Sequence, residues 1–246
     1  MSEGKNPRRG FIAASAAAGI GLAVAPGIRL LQAAESVPTR PAGQPASSKV
    51  RWGMLVDTTK CAAGCDACVK ACNKENAINE VVEDRRQASQ WIRKIDLKDK
   101  KTGREFSLPM MCQHCANPPC VDVCPTGASM KRADGIVLVD RHICIGCRYC
   151  MMACPYKARS LVHQELTEQN PEVPRGMGCV EACTFCVQRV DRGLTPACAE
   201  ACTEGAMLFG DLNDPESALT KRLKEVASNQ VRADLKLDTG VRYQGI

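Results

Sequence analysis

Apolar positions in this chain come in short runs rather than long stripes. Val50 to Asp57 and Met207 to Gly210 are brief segments that predict short strands. Trp91 to Leu97 and Arg104 to Met110 flank Lys101-Thr102-Gly103, which predicts a hairpin. Ala128 to Lys131 and Ile136 to Asp140 flank Ala133-Asp134-Gly135. Asp-Gly between alternating runs predicts a second hairpin there. Asp214-Pro215 predicts a helix opening, with Asp at the N-cap and Pro at the first position. Ala218, Leu219, Leu223 and Val226 would give that helix a narrow apolar face. Gln164 to Gly178 holds Pro171, Pro174, Gly176 and Gly178, so it reads as an irregular insertion, either solvated or a partner contact.

The N-terminal pattern is different. Asn6-Pro7-Arg8-Arg9-Gly10-Phe11-Ile12 precedes an Ala-rich apolar run from Phe11 to Ala25. Paired arginines before a modest apolar stretch resemble a twin-arginine export signal. Small residues place cleavage near Ala33 or Ala34, so residues 1–34 are expected to be a signal peptide. An uncleaved N-terminal anchor is the alternative. Such signals accompany proteins exported folded, often with cofactors already inserted, so the expected location is the periplasm. Residues 35–49 carry Pro38, Pro41, Pro45, Gly43 and Ser47-Ser48, a linker composition. The folded domain should therefore span 50–246. No run of about 18 apolar residues exists, which excludes a multi-span membrane protein.

Composition changes the picture at one residue type. The 246 residues include 17 cysteines, all between Cys61 and Cys202. Two Trp, three Tyr and four Phe are too few to dominate a core of this size. Something other than side chains is therefore expected to fill the middle. Seventeen is four sets of four plus one, or eight disulfides plus a free thiol.

Spacing chooses between them. Cys144-Ile-Gly-Cys147-Arg-Tyr-Cys150-Met-Met-Ala-Cys154-Pro155 fits the C-x2-C-x2-C-x3-C-P pattern of [4Fe–4S] proteins. Three thiolates two residues apart let a tight loop wrap one cluster, and Gly146 permits the dihedrals that such a loop needs. The fourth Cys is carried on to a second cluster, and Pro155 turns the chain away. Cys112-Gln-His-Cys115-Ala-Asn-Pro-Pro-Cys120-Val-Asp-Val-Cys124-Pro125 repeats the device with a longer third step. Exchange of the fourth cysteines predicts one cluster on Cys112, Cys115, Cys120 and Cys154. It predicts another on Cys144, Cys147, Cys150 and Cys124.

The first run is Cys61, Cys65, Cys68 and Cys72, with Asn73 in place of the proline. The last is Cys183, Cys186, Cys198 and Cys202, with Thr203 in that place. The same exchange predicts a cluster on Cys61, Cys65, Cys68 and Cys202, and another on Cys183, Cys186, Cys198 and Cys72. Cys179 is left over. Cys179-Val-Glu-Ala-Cys183-Thr-Phe-Cys186 repeats the step of the first run, so a register using Cys179 instead of Cys183 stays open. Otherwise Cys179 is a small hydrophobe. Zinc ribbons rarely string three or four cysteines before a terminal C-P. Disulfide scaffolds are usually shorter and lack nested C-x2-C steps.

His114 and His142 adjoin cysteines, but every cluster already has four thiolates, so structural roles are expected. Neither His114 nor His163 belongs to a visible nucleophile–base pair. The sequence has no Walker loop, no dinucleotide-binding glycine pattern and no C-x-x-C-H. It offers no substrate chemistry of its own, so no catalytic residue is assigned. The formal charge of +6 falls to about +3 without residues 1–34. Four all-Cys clusters at about −2 each would make the loaded protein about −5. The basic residues thus give no argument for nucleic acid. Arg148, Lys157 and Arg159, near the cluster motifs, would offset that charge and raise reduction potentials.

These motifs carry a resemblance. Cys61 to about Gly210 resembles the four-cluster ferredoxin-like electron-transfer subunits of respiratory complexes, such as the beta subunits of dimethyl-sulfoxide and polysulfide reductases. The run from Cys112 through Cys-Pro-Thr-Gly-Ala128 is similar to the family's second motif. Asp134-Gly135-Ile136-Val137 and Cys144 to Tyr156 are similar to its hairpin and third motif. Cys183-Thr-Phe-Cys186 with Cys198 and Cys202 resembles its fourth, which favours Cys183 over Cys179. Phe209 to Pro215 resembles its C-terminal signature.

The resemblance implies an α+β fold of two ferredoxin-like [4Fe–4S] halves with short β-hairpins and short helices. One unit would be 112–154, and the other 61–72 with 183–202. Four [4Fe–4S] clusters would act as a wire in an electron-transfer subunit of a respiratory complex. Within the family, the signal and the C-x3-C first motif resemble DsrO-type subunits of DsrMKJOP complexes in sulfite/sulfide metabolism. Partners would then be an NrfD-like, DsrP-like integral membrane quinone-interacting subunit and a DsrJ-like multihaem cytochrome c. A molybdopterin catalytic subunit is the alternative partner, and a zinc-stabilised interaction module is the alternative of a different class.

Overall fold

The computed structural model describes residues 44–79, 84 and 87–246. These lie within one unit, Glu35–Ile246. The signal sequence expected at 1–34 and most of the linker at 35–49 fall outside the described residues. In chain order the elements are β1 (Trp52–Asp57), α1 (Ala67–Glu75), β2 (Ile92–Lys98), β3 (Glu105–Met111), α2 (Pro119–Asp122), β4 (Ser129–Lys131) and β5 (Val137–Val139). Then follow α3 (Tyr149–Ala153), β6 (Ser160–Leu161), β7 (Val180–Glu181), α4 (Val187–Val190), α5 (Ala197–Glu200), β8 (Met207–Asp211), α6 (Ala218–Glu225) and β9 (Val241–Gln244).

Both predicted hairpins form, as β2–β3 and β4–β5. The two predicted lone strands meet: β1 pairs antiparallel with β8, Trp52 opposite Asp211 and Val56 opposite Met207. β9, which the sequence pattern did not reveal, adds to the other edge of β1 in parallel. β1 is then a central strand, and all six of its residues are buried. That explains its continuous rather than alternating apolar pattern.

The helix expected at Asp214-Pro215 begins later. Asp214 Oδ1 accepts from the amide of Glu216, closing a turn two residues on. A carboxylate used in that turn cannot cap the helix. Ser217 is the N-cap instead, its hydroxyl accepting from the Thr220 amide at 3.1 Å. Leu219 is the fully buried anchor of α6, while Leu223 is half-buried and Ala218 exposed. Val226 lies past the last turn in extended backbone.

The insertion at 164–178 contains no helix or strand, yet it is pinned inward. Arg175 donates to both carboxylate oxygens of Glu181, at 2.6 and 2.9 Å, and both side chains are buried. Arg175 Nη1 also reaches the Ala77 carbonyl at 2.9 Å. Val173 is buried beside them. This segment is neither fully solvated nor a free partner arm.

Three of the scarce aromatics form one stacked seam with a histidine. Trp52 stacks on Phe209 (5.2 Å between centroids), Phe209 meets Phe185 edge-on (5.3 Å), and Phe185 stacks on His114 (3.7 Å). Tyr243, fully buried on β9, donates to the Pro109 carbonyl and accepts from Gln113. Most of the remaining core is aliphatic side chains and cysteine.

Candidate metal centres

The x3 step in each cysteine run is a helical step. Cys68 and Cys72 lie on α1, four residues apart and on one face, about 6 Å along the axis. In the other runs Cys120, Cys150 and Cys198 lie on α2, α3 and α5, and Cys124, Cys154 and Cys202 follow just past the helix ends. Each short helix with its exit therefore presents one thiol to one site and the next to a neighbouring site. α2 packs on α3, and α1 packs on α5, so two helices exchange thiols in each half.

The thiols converge on four places. Site I gathers Cys112, Cys115, Cys120 and Cys154 around one cavity. Site II gathers Cys124, Cys144, Cys147 and Cys150 around another. Site III gathers Cys61, Cys65, Cys68 and Cys202 around a third. In site IV, Cys72, Cys183, Cys186 and Cys198 are all buried and close enough to repel one another as thiolates.

The loops between the thiols take left-handed backbone where a tight wrap demands it. Gly146 (φ 67°) and Arg148 (φ 65°) shape site II, Phe185 (φ 53°) and Cys186 (φ 49°) site IV, and Gly64 (φ 75°) site III. A Cβ at Gly146 would stand 2.3 Å from the Gly178 carbonyl oxygen. That position therefore needs glycine twice over.

Backbone amides point at the sulfurs. Ser129 N donates to Cys124 Sγ (3.3 Å), Val180 N to Cys144 (3.5 Å) and Ala158 N to Cys154 (3.5 Å). Ala206 N donates to Cys202 (3.2 Å) and Phe185 N to Cys183 (3.5 Å). Asn76 Nδ2 adds a bond to Cys72 at 3.6 Å. Such bonds favour thiolates.

Electrostatics run the other way without a cationic core. Burial, reinforced by neighbouring thiolates, pushes Cys112 and Cys115 up to about 12 and Cys68 to about 11. Burial holds Cys72 and Cys183 well above the ordinary thiol range, and their quartet neighbours add to it. Cys124 departs from this pattern. Burial would raise it, but the Ser129 amide and the Thr126 hydroxyl outweigh that and lower it. Quartets of buried thiols become thiolates only around positive charge, which iron supplies.

Arg159 shows that negative charge belongs there. Its guanidinium is buried, Nη2 donates to Cys120 Sγ (3.1 Å) and Ser129 Oγ (2.8 Å), and Nη1 has no hydrogen-bond partner. All 17 cysteines are free thiols, so the disulfide alternative has no pair to stand on. Among the described residues no three His, Cys, Asp or Glu side chains close on a single ion. The nested spacing of the four quartets, each with three of its thiols on one run, is that of cluster motifs rather than of a zinc ribbon.

Cys179 lies apart from site IV. Its Sγ donates to the Arg141 carbonyl at 3.3 Å, and its nearest thiol neighbour is Cys144 of site II. Cys183 is the residue that meets Cys72, Cys186 and Cys198. His114 Nδ1 accepts from the Val137 amide at 3.0 Å. Burial holds its pKa at about 3, so it is a neutral spacer under Phe185. His142 and His163 are exposed.

The sites form a file. Cys68 of site III neighbours Cys198 of site IV, and Cys120 of site I neighbours Cys150 of site II. The His114–Phe185 stack joins the site I loop to the site IV loop. The order is III, IV, I, II. That seam was not visible in the sequence, because His114 and Phe185 are distant in the chain.

Comparison with known proteins agrees with this geometry. Residues 104–212 match the 4Fe-4S dicluster domain. The Hdr-like menaquinol oxidoreductase iron-sulfur subunit 1 of Archaeoglobus fulgidus is 40% identical, over 96% of this chain and 97% of its own. One tetrathionate reductase subunit from Salmonella typhimurium is 38% identical over 81% of this chain and 74% of its own. The menaquinone reductase iron-sulfur cluster-binding subunit of Nitratidesulfovibrio vulgaris is 33% identical over 79% and 89%. The cofactors are four [4Fe–4S] clusters. The chain belongs to the family of 4Fe-4S dicluster iron–sulfur subunits that transfer electrons within oxidoreductase complexes.

Proposed function

We propose that the sixteen thiols of sites I to IV hold the four clusters, and that the chain links an integral membrane quinone-interacting subunit to a second redox partner. The chemistry that the clusters supply when bound is transfer of single electrons. The chain's residues do the rest: they fix the order of the sites, bury sites I and IV, and open sites II and III at the two ends.

The observation that carries this is the difference between those ends. At site II, Cys147 is exposed in a segment that also exposes Ile143, Ile145, Tyr149 and Met152, with His142 and Arg148 as its polar members. At site III, exposed Cys65 is bordered by Lys60, Thr203 and Glu204. An exposed apolar patch beside a terminal redox centre marks a partner contact. Its composition suits the apolar flank of a membrane subunit, whereas the polar end suits a water-borne partner. The end-to-end similarity to a menaquinol oxidoreductase iron-sulfur subunit supports the link to a quinone-interacting partner.

In the finer reading, the protein is exported by the twin-arginine route to the periplasm. It serves dissimilatory sulfur metabolism as a DsrO-type subunit that connects a DsrP-like membrane subunit with a DsrJ-like multihaem cytochrome c. A molybdopterin catalytic subunit is the second reading, supported by the similarity to the tetrathionate reductase subunit. Co-purification from the native membrane separates them. A c-type cytochrome in the complex is expected; a molybdenum-containing subunit overturns the first reading. I145D combined with M152E should release the protein from its membrane subunit with its iron intact. A double variant that still retains its membrane partner would refute the polarity.

A further inference from the structure

Among the three basic residues near the motifs, the structure separates one from the others. Arg148 and Lys157 are exposed, while Arg159 is 6% exposed. Arg159 lines the site I cavity and the site II cavity alike. Its Nη2 bonds Cys120 of site I at 3.1 Å. The same nitrogen bonds Ser129 Oγ at 2.8 Å, and the Ser129 amide bonds Cys124 of site II at 3.3 Å. The guanidinium is therefore held in the wall between two sites, oriented by a residue that itself touches site II. Burial opposes its charge, but the sulfurs of Cys120, Cys112 and Cys150 more than restore it. The thiols are its foremost electrostatic partners; Arg141 and Glu181, the latter paired with Arg175, line a separate cavity that Arg159 also borders.

A fixed positive charge in a water-poor wall favours the state carrying one more electron on either side of it. The effect reaches both sites because the group is shared. Exposed Arg148, which also borders site II, acts through water and is screened.

We propose that Arg159 sets the reduction potentials of the clusters in sites I and II together, as one shared positive group, and so keeps that half of the file level. This rests on sites I and II each holding a cluster. Each reduction adds one electron and needs no proton from Arg159, whose charge is fixed.

The test is a redox titration followed by EPR on the complete, cluster-loaded chain, with iron counted first. Signals are assigned by the losses in C115S (site I) and C124S (site II). In R159M, both signals should fall in potential by about tenfold in the oxidised-to-reduced ratio, 59 mV for a one-electron couple. The signals of sites III and IV should stay unmoved. R159K, which keeps a charge but loses the fork, should shift both in the same direction by less. A fully loaded R159M in which one signal or neither shifts overturns the proposal. If R159M loses iron, R159Q, a neutral side chain that can still hydrogen-bond Ser129, decides: two lowered potentials support the shared role, and one or none overturns it. Wild-type protein with far fewer than about sixteen irons would instead refute the ligand assignment on which the proposal rests.

Discussion

Gly146 and Gly64 occupy comparable places, each just before a cysteine of a cluster loop, and both are left-handed, at φ 67° and 75°. They differ in one respect. A Cβ at Gly64 meets nothing within 4 Å, whereas one at Gly146 stands 2.3 Å from the Gly178 carbonyl oxygen. The obstacle is backbone, and it is tied down: Gly178 N donates to Val162 O at 2.8 Å. Two residues on, Val180 N donates to Cys144 Sγ of site II. G64A therefore carries only the left-handed penalty for an L-residue, about 1–2 kcal/mol. G146A adds an overpacking cost of about 1–3 kcal/mol. The added cost corresponds to about 5–150-fold at tenfold per 1.4 kcal/mol. Relief of the clash moves Gly178 and draws the Val180 amide off Cys144, so the damage should fall on site II. Iron loss to a chelator, followed with the site II EPR signal, measures it. G146A should lose that cluster at least fivefold faster than G64A loses that of site III, and should purify with about twelve irons. Equal losses in the two variants would show that backbone conformation alone accounts for the requirement, and the close-approach argument would be wrong.

Other consequences are as direct. C179S should keep about sixteen irons and C183S about twelve, because Cys183 rather than Cys179 faces Cys72, Cys186 and Cys198; the reverse result in iron analysis would reassign the register. C154S should remove the site I EPR signal and spare that of site II, although Cys154 ends the site II run. E181Q should lower resistance to urea by about 3–5 kcal/mol, since it strands the buried Arg175 charge. R175M combined with E181L should recover most of that loss, and a double variant as weak as E181Q would show that the pair is not a closed unit.

Cysteine spacing carried much of the site because its information is local. An x2 step wraps one centre and the last x3 step of each run crosses to the next, so the four quartets could be grouped before any fold was known. The hairpins were legible for the same reason, through Asp134-Gly135 and Gly103. What escaped was non-local. β9 has an ordinary apolar pattern and gains its meaning only as the parallel partner of β1. The α6 start slipped because Asp214 had two local uses, a turn and a cap, and packing of Leu219 chose Ser217. The role of the insertion depended on a buried pair, Arg175 with Glu181, that its turn-rich composition conceals.

The aromatic shortage gains a different meaning from these contacts. A small aromatic count suggests a core filled by inorganic groups, and cysteines do occupy much of the buried interior. Yet Phe185, Phe209, Trp52, Tyr243 and the neutral His114 are concentrated where sites I and IV face each other. Within each half, short helices and the residues just past their ends hand thiols to two neighbouring sites and so lock them together. Between the halves no cysteine run crosses, so a packed seam has to hold that separation. The 3.7 Å stack of His114 on Phe185 does so with groups that carry no charge. A charged spacer there would bias sites I and IV electrostatically, as Arg159 is placed to bias sites I and II. The chain thus uses two kinds of wall: a cationic one within a half, and a neutral aromatic one between the halves.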